Sequence, residues 1–76
     1  PDEAIKQGEI AQHIYRALLQ RAPNKPEYRM GLSHCQRRLG QTYDRFGTTQ
    51  DADRTLAESA HLMRNLATEY PDNLEY

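Results

Sequence analysis

The residues of this chain that could carry chemistry are an adjacent histidine and cysteine, two further histidines and a pair of aspartates. His34 and Cys35 are the residue types of a thiol nucleophile and its base. On a helix, however, neighbours project about 100° apart and cannot share the hydrogen bond such catalysis needs. Cys35 also falls on an apolar stripe, where a thiol is a buried and inert small hydrophobe. His13 and His61 lie among Glu9, Arg16, Glu58 and Asn65, which reads as two solvated faces rather than a paired metal or haem site. Asp51 and Asp53 cluster where a helix begins, and dipole and capping account for them without an ion. No paired carboxylates sit in an apolar run, no glycine-rich phosphate loop is present and no serine lies in a G-x-S-x-G turn. The expectation is a protein that is not an enzyme, with no catalytic residues, no metal and no cofactor.

The remaining candidate is a line of polar residues, His34, Arg37, Arg38, Gln41, Asp44 and Arg45, which follow one another at steps of three and one, so that residues three and four apart recur along it. Such a line is one face of a helix, and arginines along it offer forked donors to carboxylates. From Glu27 to Phe46 there are four arginines against two carboxylates, net +2. From Asp51 to Tyr70 there are two arginines against four carboxylates, net -2. An ordinary solvated helix face is the competing reading of the same line.

Three helices must position these residues. In the first, near residues 2–22, Ala4, Ala11, Ile14, Tyr15, Leu18 and Ala22 recur at helical spacing, with Ile5, Ile10 and Leu19 widening the apolar face and Lys6, Glu9, His13, Arg16 and Gln20 opposite. Pro23 and Pro26 end it. The second, near 26–46, starts with Pro26 at its first position and carries the stripe Tyr28, Leu32, Cys35, Leu39, Tyr43 and Phe46. Gly47 turns the chain in a left-handed conformation, and Thr48 or Thr49 caps the third helix, with Asp51 completing a capping box. That helix, near 50–70, buries Ala52, Leu56, Ser59, Met63, Leu66 and Tyr70 until Pro71 stops it.

The chain also repeats itself. "PNKPEY" at 23–28 returns as "PDNLEY" at 71–76, an offset of 48 that also aligns His13 with His61, Ile14 with Leu62, Arg16 with Arg64 and Leu18 with Leu66. A fixed period of this order is the mark of stacked helical units that cannot bury their apolar faces alone.

Leu39-Gly40-x-x-Tyr43, then Gly47, then Ala52-x-x-x-Leu56 resembles the tetratricopeptide repeat, with Gln36 where that pattern has Trp and Leu56 where it has Phe. The standard unit is about 34 residues; two insertions of about seven would lengthen both helices while keeping each face nearly in register. Long units with "P-x-N-P-E-Y" between helices look like those of large bacterial regulatory and kinase-associated proteins. The resemblance implies an all-α fold of three antiparallel helices, about one and a half repeats. Residues 1–22 would be the second helix of a preceding repeat, 26–70 one full hairpin and 71–76 the start of the next, with Leu74 and Tyr76 opening a further helix. It also implies that the first helix of a repeat lines a concave groove, so that His34, Arg37, Arg38, Gln41, Asp44 and Arg45 face a bound peptide.

Composition limits the rest. With 76 residues, 37% apolar and 28% charged, the chain is one small helical domain. A formal net charge of -1 argues against a nucleic-acid or membrane-surface binder. No apolar run approaches a membrane span, and no targeting pattern opens the chain. One cysteine excludes an internal disulfide, compatible with a reducing, cytoplasmic setting. Beginning at Pro1 and stopping inside a repeated motif reads as a piece of a longer protein. The expected function is a non-catalytic protein-interaction scaffold with a protein or acidic peptide as partner. The alternative is a structural spacer that self-associates through its uncovered repeat ends.

Overall fold

The computed structural model describes residues 2–73. Three helices, α1 (Asp2–Arg21), α2 (Pro26–Arg45) and α3 (Thr49–Glu69), run up, down and up, and no strand occurs among the described residues. The helix stays unbroken from Cys35 to Gly40. α2 is the keel: it packs on both neighbours, whereas α1 and α3 reach each other only through side chains.

The two turns at the ends of α1 and α3 carry the repeat into the backbone. Lys25 N–H donates to the Ala22 carbonyl at 3.2 Å, and 48 residues on Asn73 N–H donates to that of Tyr70 at 3.1 Å. A proline follows each helix one residue past its last turn, so the same chemistry closes both. The α2–α3 turn is built differently. Thr48 N–H donates to the Tyr43 carbonyl and Gly47 N–H to that of Asp44, with Gly47 at φ 85°; this is a Schellman closure, which needs a left-handed residue. Thr48 does occupy the N-cap of α3, but its side chain makes no cap bond. Its hydroxyl donates back to the Tyr43 carbonyl, so the expected capping box does not form.

The core sits between α2 and α3: Leu32, Leu39, Ala52 and Leu66 are its buried apolar residues. Small groups let the backbones approach. Ser33 and Ser59 are buried opposite one another, each hydroxyl donating to the other residue's carbonyl. A Cβ on Gly40 would lie 2.6 Å from Leu56 Cγ, so the expected close crossing at Gly40 and Ala52 is present. Two further glycines do the same work between α1 and α2. Leu39 fills the notch at Gly8, and the Tyr15 ring lies against Gly31.

Three sequence-based expectations about the core are corrected. α1 turns Gly8, Gln12 and Tyr15 toward α2, leaving Ala4 exposed and Ile10 and Ile14 each 51% exposed. The apolar residues of α1 lie on nearly every side, and the glycine notch decides which side packs. Phe46 and Tyr70, expected at the ends of the stripes, are exposed because each stands at the C-cap where the chain leaves its helix. Gln36 and Thr55 are buried although no apolar stripe includes them.

Candidate basic helix face

The α2 backbone places His34, Arg37, Arg38, Gln41, Asp44 and Arg45 together on its exposed side. Their spacing is that of one helix face, and the buried residues Leu32, Gln36 and Leu39 of the same helix point elsewhere. All six therefore form one ridge along α2. The ridge divides two grooves. Toward α3 lies one of about 280 Å³ lined by Ser33, His34, Arg37, Leu56, Ala60 and Met63. Toward α1 lies one of about 300 Å³ lined by Gly8, Ala11, Cys35, Arg38, Leu39 and Thr42. Arg37 and Arg38, neighbours in sequence, thus border different grooves, each with an apolar floor.

Three arginines outside the ridge are held in ion pairs. Arg16 pairs with Glu58 at 2.7 Å, Arg54 with Asp51 at 2.9 Å, and Arg29 clasps both carboxylate oxygens of Glu69. Arg37, Arg38 and Arg45, like Arg21 and Arg64, are in no ion pair among the described residues, and these three share one helix face. Their guanidinium groups face solvent with unspent donors, as a carboxylate-binding surface requires.

Cys35 lies beside this ridge, half-buried in the α1 groove. Burial raises its thiol pKa, and the nearby Arg38 charge only partly opposes that. The thiol is therefore a poor nucleophile at neutral pH, and His34 is exposed on the ridge beside it. Among the described residues no three His, Cys, Asp or Glu side chains come together as a metal site. His13 and His61 are exposed, and His61 lies 3.3 Å from Asn65.

The far side of α2 holds a polar network that sequence reasoning missed. Gln36, 1% exposed, donates through Nε2 to Gln12 of α1 and Glu58 of α3. Glu58 in turn receives Arg16, so one amide joins all three helices while its own Oε1 has no partner. Arg29 was equally missed. Its pKa is raised chiefly by the hydrogen bond it donates to Glu69, against a smaller downward push from burial. Both contacts span more than twenty residues of sequence. The only advance signal was the antiparallel register of α2 on α3, which brings residues near 29 beside the last turn of α3.

Tyr43 fastens the other end of α2 to α1, its hydroxyl donating to Glu9 at 2.7 Å. Burial first, and then the Glu9 carboxylate, push its pKa up to about 12.

Compared with family models, with characterised proteins and with solved structures, the chain matches none. No described helix is long and apolar enough to cross a membrane.

Proposed function

We propose that this chain is a non-catalytic protein-interaction segment, presenting the basic ridge of α2 to an acidic peptide. The observation that carries the reading is the set of unpaired arginines, Arg37, Arg38 and Arg45, exposed between two grooves with apolar floors. Carboxylates of the peptide would meet the forked donors, while its apolar side chains would enter the grooves. In this reading α2 and α3 form one tetratricopeptide-like hairpin, and α1 is the second helix of the unit before it.

A single ridge supplies weak binding. Each exposed arginine–carboxylate pair contributes roughly 0.2–1 kcal/mol, so affinity rests on the sum and is strongly salt-dependent. The test is titration of a fluorescent acidic peptide against the protein at low and high salt. Arg38→Glu, which removes one such pair and puts a like charge in its place, is expected to weaken binding several-fold while leaving helicity and melting unchanged. Arg54→Glu, on α3 and away from the ridge, is the control. If both reversals weaken binding equally, the attraction is general and the ridge is not a site; if Arg38→Glu unfolds the protein, the residue is structural and the assignment fails.

A further inference from the structure

The side of α1 turned away from α2 carries an apolar seam that the internal repeat does not explain. Gly8, Gln12 and Tyr15 face α2; about 140° round the helix runs the line Glu3, Gln7, Ile10, Ile14, Ala17 and Arg21. Every one of these residues is exposed, including both isoleucines at 51%. Were this line only the trace of a repeat, α3 would carry it at an offset of 48. Ile14 does have its counterpart in Leu62, but Ile10 corresponds to Glu58 and Ala17 to Asn65, and Glu58 is committed to Arg16 and Gln36. The seam therefore belongs to α1 alone.

Its steps are four, three, four, three and four, the spacing of a helix that pairs with another helix. The line is also complementary to itself when reversed. An antiparallel pairing centred between Ile10 and Ile14 sets Ile10 against Ile14 of the partner subunit, Gln7 against Ala17 of the partner subunit and Glu3 against Arg21 of the partner subunit. A twofold axis makes each of these contacts twice. Isoleucines then meet at the centre and opposite charges at both ends. A parallel pairing would set Glu3 against Glu3 and Arg21 against Arg21, like charges at each end.

We infer that this surface takes a second copy of the same chain, forming a twofold symmetric dimer through antiparallel α1 helices. The seam is about 27 Å long at 1.5 Å per residue. A helix pair of that length buries on the order of 1,000 Å², near the lower bound for a specific interface. The dimer is accordingly weak, in equilibrium with monomer at micromolar concentrations. Of the seam residues only Gln7 also lines the groove between α1 and α2, so dimerisation leaves the basic ridge and the groove toward α3 open and places two ridges on one particle.

Sedimentation equilibrium of the whole chain over a wide concentration range tests this, with circular dichroism as a check that each variant is folded. The wild type is expected to shift from monomer to dimer, and Ile10→Glu to weaken the association at least tenfold with helicity retained. Ile10→Gln serves the same purpose should the glutamate disturb α1. Glu3→Arg alone is expected to weaken the dimer and the double change Glu3→Arg with Arg21→Glu to restore it, since only the antiparallel register brings these positions together. A wild type that stays monomeric overturns the inference. So does a dimer indifferent to Ile10, or one that Met63→Glu on α3 dissolves instead. Loss of dimer with Ile10→Glu but no rescue by the double charge exchange overturns the antiparallel register.

Discussion

Gly40 lies at a close crossing of α2 and α3, and replacing it gives a sharp test of how they are packed. A Cβ there would stand 2.6 Å from Leu56 Cγ, 2.7 Å from Leu56 Cδ2 and 3.5 Å from the Ala52 carbonyl oxygen. Carbon atoms in contact prefer about 3.5–4.0 Å, so even alanine forces Leu56 back by roughly 1 Å. Cγ is not the free tip of the side chain, and the whole isobutyl group must rotate out of its place. Leu56 is half-buried and borders the groove toward α3, so it has somewhere to go. Two effects then oppose each other. Alanine gains about 1 kcal/mol of helix propensity over glycine, while overpacking costs about 1–3 kcal/mol. Gly40→Ala is expected to be destabilising by about 0–2 kcal/mol, and Gly40→Leu, with three more carbons and no such refuge, by about 2–3 kcal/mol. A loss of 2 kcal/mol in a chain of this size lowers Tm by about 8–16 °C. Helical circular dichroism on heating and in urea measures both. The cycle with Leu56→Ala is the decisive part: removing the obstructing group should relieve the strain, so the double variant Gly40→Ala with Leu56→Ala should be about 1 kcal/mol more stable than additivity predicts. Additive effects within about 0.3 kcal/mol would refute the contact, as would a Gly40→Leu variant that melts with the wild type.

Two further perturbations probe the polar contacts. Tyr43 is expected to titrate near 12 rather than 10.0. Because its pKa is raised in the fold, its contribution to stability is fully present below pH 10 and is lost as pH climbs from 10 toward 12. Tyrosinate absorbance of Tyr43→Phe should lack the phase near 12; loss of a phase near 10 instead would refute the burial and the Glu9 bond. Gln36→Ala should cost about 2–3 kcal/mol by leaving a cavity and unpairing its neighbours. Gln36→Met should fall within about 1 kcal/mol of wild type, since it keeps the volume filled and the two acceptors that lose the Nε2 bonds, Gln12 and Glu58, are not buried. Equal losses in urea unfolding would show that the amide network, not the filled volume, holds that site.

Much of this fold was legible because its boundaries are written in backbone chemistry. Pro23, Pro26, Gly47 and Pro71 dictate where a helix can stop or start whatever the surroundings, and each helix ends within one residue of the expected place. The crossing at Gly40 and Ala52 was legible for a similar reason, since small residues at matched positions mark a close approach. The orientation of α1 was not. Hydrophobic periodicity selects a face only when the apolar residues share one side, and in α1 Ile5, Ile10, Ile14 and Leu19 do not. Gly8 and Gln12, which define the packed side, carry no hydrophobic signal at all. The basic ridge was readable as the complement of the α2 stripe, because what an amphipathic helix does not bury it must show. Which arginines are spoken for was not readable, since Arg29 and Arg16 find their carboxylates on α3, 40 and 42 residues away.

Among the described residues none of α1 is buried; every buried side chain belongs to α2 or α3. The consequence is a protein with two tiers of protection against exchange. The amides of α2 and α3 should open to solvent only when the whole hairpin comes apart, whereas α1 can detach by breaking the Leu39 contact at Gly8, the Tyr15 contact at Gly31 and its few bonds to Gln36, Tyr43 and Glu58. Deuterium would then enter α1 first. Whatever binds its outer surface would slow that entry in proportion to occupancy, so the exchange rate of this one helix reports on association while the other two stay silent.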